Sequence, residues 1–537
     1  MSSSFLLDAL VLLGYFGAII TVGLSQRSRS GSVEGFALGD RQIAWWAVLA
    51  SILAAEISAA TFLGAPGEGY AKRNWTYAQL AIGTILARIF VSFVFIPIYY
   101  RHGVISIYEF LETRFGSFTR KLASMIFLIT RVLAMGTRLY VSAIIVVLAV
   151  EMWRGGQVVT TNEKFWLYAG AVVLVTALTA LYTTVGGIRA VIWTDFIQVG
   201  VLVAALAFTV PFLLGRIEGG WSAVSHQIQH PIFFDLVPRL PDEGFTSWLT
   251  RVFSMEYTIY AAFIASTFVT MATHGIDQDT VQRMLTAKNR RQSAFATIVS
   301  GLVDLPIVSA FILIGLLLAV YYTKNPPADL PQEGREVFPY FILHEMAPGL
   351  RGLVTAGILA TAMGSLSTAL NALATSFARD FALPRLERRG ILIDEWQRVR
   401  VLRQSTVFFA VLIIVVGVAT AGFMAKNPDV RIIPLVLGIL GFTFGSLLGL
   451  FLLGLFTRGR GNDLGNALAV CASIVVVFLA SGAHVKLFGA ADAKPSFELA
   501  FPWRITLGTL VTMLVASCFR TPDARIASRA VVDATHA

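Results

Sequence analysis

The chain has 537 residues, of which 56% are apolar and only 14% charged, and its mean hydropathy is +0.72. Soluble domains carry about a quarter charged residues, so a water-soluble globule is excluded. The 42 Lys and Arg against 32 Asp and Glu leave a net charge of +10, but the positives fall between long apolar runs instead of forming a stripe. That distribution argues against a nucleic-acid partner and makes the basic excess a marker of orientation in a bilayer. The two cysteines, Cys471 and Cys518, sit inside apolar runs, which leaves neither a disulfide framework nor a thiolate metal site.

Apolar runs long enough as helices to cross the hydrocarbon core fall near 5–25, 45–66, 77–100, 122–152, 165–184, 188–215, 254–274, 295–321, 352–377, 403–424, 432–456, 464–482 and 501–518. They are too long and too continuously apolar for barrel strands, and lipid requires backbone polar groups to be paired internally. The class is therefore all-α, a polytopic membrane protein of about 13 transmembrane helices. Loops after odd-numbered spans hold Arg27 and Arg29; Arg114, Arg120 and Lys121; Arg283, Lys288, Arg290 and Arg291; then Arg379, Arg385, Arg388, Arg389, Arg398, Arg400 and Arg403. The opposite loops, 216–253, 322–351 and 483–500, are longer yet hold fewer positives. The positive-inside rule then puts the N-terminus outside and the C-terminus, with Arg520, Arg525 and Arg529, in the cytoplasm, as in a multi-pass protein of the plasma (inner) membrane. The first run has no basic residue before it and Arg27 and Arg29 after it, the reverse of a secretory signal, and reads as a retained helix. Gaps between spans are too short for an independent core, so residues 1–537 read as a single transmembrane domain. Asn74-Trp75-Thr76 matches a glycosylation sequon on an outer loop, a pattern common by chance.

Functional signals in such a bundle are the places where the apolar pattern breaks. Glu56 lies in the second span, within Ala54-Ala55-Glu56-Ile57-Ser58-Ala59-Ala60-Thr61-Phe62-Leu63-Gly64-Ala65-Pro66-Gly67-Glu68-Gly69. A helix broken there frees carbonyls that are tolerated only around a cavity, where they hold a cation while a half-helix N-terminus faces the solute. The bland alternative is a structurally paired Glu56, with Pro66 kinking the outer end. Arg88, Arg131 and Arg138, in the next two spans, are candidates to neutralise Glu56 or, for one of them, to meet an anionic substrate. Asp195 lies ~10 Å into its span and costs roughly 2.5–3.5 kcal/mol if unpaired, so it needs a cation or a basic group such as Arg189.

The seventh span ends in Thr270-Met271-Ala272-Thr273-His274-Gly275-Ile276-Asp277-Gln278-Asp279-Thr280-Val281-Gln282-Arg283. This stretch reads equally as a helix end capped by Asp277 or Asp279 and as a second break facing the solute. His274 reads first as a helix-end hydrogen-bonding residue, with a proton relay as the alternative. In the ninth span Thr361, Ser365 and Thr368 share a face, either as neutral oxygen ligands for a hard monovalent cation or as small residues for close helix packing. Gly64-to-Gly69 follows no strand and lacks a Lys-Ser/Thr ending, so it is no phosphate loop. Zinc-hydrolase, paired-cysteine and nucleophile-elbow motifs are absent from the sequence, and the chain is not read as an enzyme.

At these residues the chain resembles the sodium/solute symporter family, whose members include bacterial proline, sugar and sialic-acid carriers and animal glucose, iodide and monocarboxylate carriers. Gly186-Gly187-Ile188-Arg189-Ala190-Val191-Ile192-Trp193-Thr194-Asp195-Phe196-Ile197-Gln198 resembles the family's most recognisable signature, and Gly275-to-Arg283 is similar to its second. The Ala54-to-Gly67 break and the Ser365-to-Asn371 stretch fit the first and eighth core helices. The resemblance implies a leucine-transporter-like five-plus-five inverted repeat over 45–456. One extra helix and a loop over 1–44 would precede it, and two C-terminal helices and a cytoplasmic tail over 457–537 would follow. It also implies Na+ as the coupling ion and alternating access. Carried over by residue, sodium site 1 uses carbonyls of Ala54, Ile57 and Thr361 and the Ser365 hydroxyl. A second site known in some members uses Asp195, Ser367 and Thr368, which implies two sodium ions per cycle. Gly364 departs from the pattern: many relatives have a hydroxyl there, so that ligand is lost and the site is weaker, completed by water or a neighbour, or rearranged. Relatives carry assorted polar residues at Glu56, which leaves it a sodium ligand, a proton carrier or a partner of Arg131 or Arg138.

The expected function is that of a sodium-coupled secondary active symporter importing a small organic solute, a sugar, carboxylate or similar. Ser58, Thr61, Phe62 and Thr273 are expected to line the cavity, with Glu56, His274 and Arg138 as further binding or gating candidates. The rivals are proton coupling through Glu56 or His274 and, from another class, a solute-gated sensor or channel. The expected partners are the solute, the sodium ion and the lipid bilayer, with no obligate protein partner evident.

Overall fold

A computed structural model describes residues 3–26, 31–153, 160–228, 232–324, 326–426, 432–488, 495–523 and 525–526. Arg27, Arg29 and Arg529, used above to orient the chain, lie outside them. Among the described residues the regular structure is helical, and strand pairing is limited to two isolated bridges, Ile43 with Ala287 and Arg460 with Arg520.

The principal helices are α1 (Ser3–Ser25), α2 (Trp45–Glu56), α3 (Ala59–Lys72), α4 (Leu80–His102), α5 (Ser117–Trp153), α6 (Thr161–Arg216), α7 (Phe245–Ser254), α8 (Ser266–Gly275), α9 (Gln278–Met284), α10 (Arg290–Lys324), α11 (Leu350–Phe377), α12 (Glu395–Lys426), α13 (Ile432–Phe456), α14 (Asp463–Ala480) and α15 (Phe501–Ser517). The apolar runs of the sequence fall on these helices in order. Among the described residues nine helices are long and apolar enough to cross a membrane alone, ten if the bent pair α2 and α3 forms one span. Two runs, 165–184 and 188–215, share α6, which bends at Gly187. There φ is +58° and a Cβ would lie 2.6 Å from the Phe36 carbonyl, so the bend needs a residue without a side chain.

α11 is the central helix: 94% of its most apolar window is buried, against 22% for α1 and 33% for α6. Its Gly, Ala, Ser and Thr residues let α1, α5, α6 and α12 pack closely around it. Asp8 of α1 accepts hydrogen bonds from the Gly349 and Gly352 N–H groups (2.8 and 2.9 Å) and pairs with Arg351, an anion at the positive end of α11.

The loops contact one another in two sets. On one, Arg120 pairs with Asp380 (2.8 Å) and Glu112 (2.5 Å), Arg379 pairs with Glu109 (2.8 Å), and Arg114 donates to the carbonyls of Thr457 and Arg460. On the other, Arg216 faces Glu345, Trp75 stacks on Phe233, and the Ala500 N–H donates to the Phe253 carbonyl. In these contacts segments read as inner loops meet one another, and segments read as outer loops meet one another.

Candidate sodium and solute site

The break in the second span lies at Ile57 and Ser58, where the chain turns 62° between α2 and α3. Ile57 leaves the helix at ψ 102°, and Ser58 caps α3 by accepting the Thr61 N–H (3.3 Å). The last backbone bond of α2 runs from the Ile57 N–H to the Leu53 carbonyl (3.1 Å), so the carbonyls that follow have no helical donor above them. Pro66 is not the break: it lies inside α3, with its carbonyl against Gly315 of α10.

α11 reaches this break at Gly364, where a Cβ would sit 3.2 Å from the Ala54 carbonyl oxygen. One helical turn of α11 therefore brings Thr361 and Ser365 to the same level as the freed carbonyls. The Ser365 hydroxyl donates to the Thr361 carbonyl (2.8 Å), so its proton points into the helix and its lone pairs remain to accept a cation. Ala54, Ile57, Thr361 and Ser365 are all buried, and together they offer neutral oxygens that suit a hard monovalent ion.

Asp195 of α6 is fully buried beside this region. Its Oδ2 accepts from the Ser51 hydroxyl (2.5 Å), while the Ser367 hydroxyl donates to the Gly364 carbonyl (3.0 Å). The basic group facing it is Arg283 of α9, with Nε 3.8 Å from Oδ2, while Oδ1 has no hydrogen bond. Arg189, the partner considered from sequence, pairs with Asp40 instead (3.0 Å): it precedes Asp195 by six residues in the same half of α6, which turns its side chain to another face. Thr368 donates to the carbonyls of Gly364 and Ser365 (both 2.9 Å).

Glu56 pairs with Arg88, not with Arg131 or Arg138. Arg88 is fully buried and also donates to the Ser300 hydroxyl (3.1 Å), while Arg131 is occupied by Asp277 and Asp279. Asp277 caps α9 as well, accepting the Asp279 N–H (3.1 Å). Arg138, by contrast, has no hydrogen bond or ion pair from its guanidinium among the described residues. His274 is buried, with Nδ1 3.0 Å from the Thr273 hydroxyl and Nε2 3.9 Å from Glu56. The Ser58 hydroxyl is 3.3 Å from that of Thr61. Phe62, expected to line the cavity, is instead fully buried against Phe311 and Phe338, because α3 turns that face toward α10.

Ser51, Arg283 and Gln198 belong to this region: Ser51 and Gln198 were given no role from sequence, and Arg283, counted there among the loop positives, is instead fully buried in α9. Gln198 had a signal: it follows Asp195 by three residues, on the same helix face. For Arg283 there was none, since its partner lies across the bundle.

A membrane-embedded helical bundle with a broken helix facing a hydroxyl-bearing one, and buried carboxylates beside both, has the construction of a secondary transporter. The model of the sodium:solute symporter family matches residues 36–472, and the chain belongs to that family. It is 28% identical to the sodium/sialic acid symporter NanT of Aliivibrio fischeri over 95% of this chain and 92% of that one. It is 28% identical to the sodium-coupled monocarboxylate transporter 2 of Danio rerio over 83% of this chain and 67% of that one. A solved sodium-coupled sialic acid symporter, substrate-bound and outward-open, shares the fold with a TM-score of 0.77 at 24% identity, covering 95% of this chain and 97% of that one. The chain is thus a sodium-coupled solute symporter and not an enzyme, with sodium as coupling ion and a small solute as cargo.

Proposed function

We propose that the protein imports a small organic anion bearing a carboxylate across the plasma (inner) membrane, with its N-terminus outside and its C-terminus in the cytoplasm. Arg138 carries this reading. Glu56, Asp277 and Asp279 are each paired with another arginine, while Arg138, in the middle of α5, is in no ion pair among the described residues and meets the charge of Asp279 only at longer range. A cation at that depth is costly unless something pairs with it, and a solute carboxylate would do so. The substrates named for the two relatives, sialic acid and monocarboxylates, are of this class.

In this reading sodium site 1 uses the carbonyls of Ala54, Ile57 and Thr361 and the Ser365 hydroxyl, and site 2 uses Asp195, Ser367 and Thr368. Ser58, Thr61 and Thr273 face the solute, and Glu56 with His274 holds the edge of the cavity through Arg88. The transport core is 45–456, with one helix before it and two after. Sodium bound at the break stabilises the outward-open state and completes the solute cavity, and its loss to the cytoplasm releases both. Differential affinity between the two states does the coupling.

The test is uptake into proteoliposomes under an inward sodium gradient, with sialic acid, lactate, proline and glucose offered separately. Sodium-dependent entry of a carboxylate, abolished by Arg138→Ala and partly kept by Arg138→Lys, is expected. Uptake of a neutral sugar that Arg138→Ala leaves unchanged would refute the anion reading.

A further inference from the structure

A groove of about 460 Å³ lies between α5, the end of α11 and α12, away from the sodium and solute site. Past Phe377 the chain of α11 continues through a π turn, Ala378–Ala382, into the short helix Leu383–Arg388. Met125, Ile129 and Leu133 of α5, each one turn from the next, form one wall of the groove over about 12 Å. Phe381 and Arg385, again one turn apart, and Phe408 of α12 complete it. Met125, Ile129, Leu133 and Phe408 are exposed, and on a membrane-spanning helix that exposure is to lipid tails. Met125 lies about 12 Å along α5 from Ser117, so the groove runs at the depth of the hydrocarbon and has the shape and lining that an acyl chain fills.

The charge at one end of the groove narrows the occupant further. Neighbouring arginines are answered by carboxylates: Arg120 by Asp380 and Glu112, Arg379 by Glu109 and Arg398 by Glu387 (3.3 Å). Arg385 is not. It is exposed, forms part of the groove wall, and is in no hydrogen bond or ion pair among the described residues. Lys121, one turn before Met125 on α5, is a second cation at this end in no ion pair among the described residues. A guanidinium suits a phosphate because it can donate two parallel hydrogen bonds, and a lysine beside it reaches the same headgroup by extending its stem along the apolar wall. A headgroup of net negative charge answers both cations, whereas a zwitterionic one brings a cation of its own to compete with them.

We propose that this groove binds one anionic phospholipid, with an acyl chain along Met125, Ile129 and Leu133 and the phosphate on Arg385, beside Lys121. Both cations lie at the end of the bundle read as the inner one, so the lipid comes from the cytoplasmic leaflet. The leaflet follows from the orientation proposed above; the site itself does not depend on it. A lipid seated there bridges α5, α12 and the inner end of α11, the helix that carries Thr361 and Ser365.

The experiment titrates the delipidated full-length protein in detergent with phosphatidylglycerol or with phosphatidylcholine of the same chains. Thermal stability is read together with the lipid retained in native mass spectrometry. Phosphatidylglycerol should stabilise the protein and remain as one bound molecule at low lipid, and phosphatidylcholine should not. Arg385→Gln/Lys121→Gln should weaken the apparent affinity for phosphatidylglycerol about tenfold. Ile129→Trp, which fills the groove from an exposed position, should weaken it to a similar extent, with Leu133→Trp in its place if that variant does not fold. Equal binding of the two lipids overturns the proposal, as does phosphatidylglycerol binding that Arg385→Gln/Lys121→Gln leaves unchanged. Glycerol phosphate, which has the phosphate without the chains, should not stabilise; if it matches phosphatidylglycerol, the site is one for free phosphate and the lipid is overturned. A groove variant that changes the oligomeric state and leaves lipid affinity alone would make the groove a contact between copies of this chain and overturn the proposal as well.

Discussion

Glu56, at the end of α2 beside the break, and Asp195, within α6, are both carboxylates that face a fully buried arginine, yet the two are held differently. Glu56 is in direct contact with Arg88, which is steadied in turn by Ser300. Asp195 meets Arg283 only at 3.8 Å, keeps Oδ1 unpaired, and takes its short hydrogen bond from a neutral hydroxyl, Ser51. A contact pair neutralises itself and has little left to offer an ion. A carboxylate held away from its arginine keeps an open coordination position. The first arrangement makes a strut beside the helix break, and the second is what the proposed second cation site requires.

The largest effect should come from cutting the strut. Arg88→Met leaves Glu56 without its counter-ion and should cost about 3–5 kcal/mol, read as loss of folded protein in detergent. The double variant Arg88→Met/Glu56→Gln should recover much of that loss, and a fully stable Arg88→Met would break the comparison. Asp195→Asn should do the opposite: folded yield close to the parent, with the Hill coefficient for sodium in initial uptake falling toward one. A parent Hill coefficient of one, unchanged by Asp195→Asn, would remove the second ion.

Glu56→Gln should have a smaller effect than Arg88→Met, because the amide still accepts a hydrogen bond from Arg88. It should alter ion dependence more than the order of substrate preference, and a shift of substrate range at constant sodium affinity would count against the strut. The smallest effect is expected where the same chemistry lies outside the membrane, in the loop ahead of α7. There the Arg251 hydrogen bond holds the Glu243 carboxyl below its ordinary range, helped by the Leu240 N–H and against some desolvation. Its contribution is present above the unfolded carboxylate pKa and is lost as pH falls through the lowered value. Glu243→Gln should leave the neutral-pH melting temperature and uptake nearly unchanged. A clear loss at neutral pH would mean that the loop pair also bears structural load.

Much of the architecture was legible because lipid imposes one periodicity and one minimum length on every span. The apolar runs, the two-sided arrangement of loops and the break after Ala54 could all be read along the chain. The break's position relative to Pro66 could not, because Ser58 ends one hydrogen-bond ladder and starts another while Pro66 is absorbed inside α3. The contact of Phe62 with Phe311 and Phe338 could not be read either, because it is decided by how α3 rotates against α10 and the helix Gly334–His344.

The sequence by itself determined that this is a helical membrane protein with a broken span, a hydroxyl-bearing span and buried charges, since those features are local and periodic. Only the tertiary structure decided which charge answers which. Arg88 and not Arg131 took Glu56, Arg283 and not Arg189 faced Asp195, and Gln198 came to stand against Gly364. These pairings join residues on different helices, and a guanidinium or amide reaches only a few ångströms, so the rotation and depth of each helix in the packed bundle select the partner.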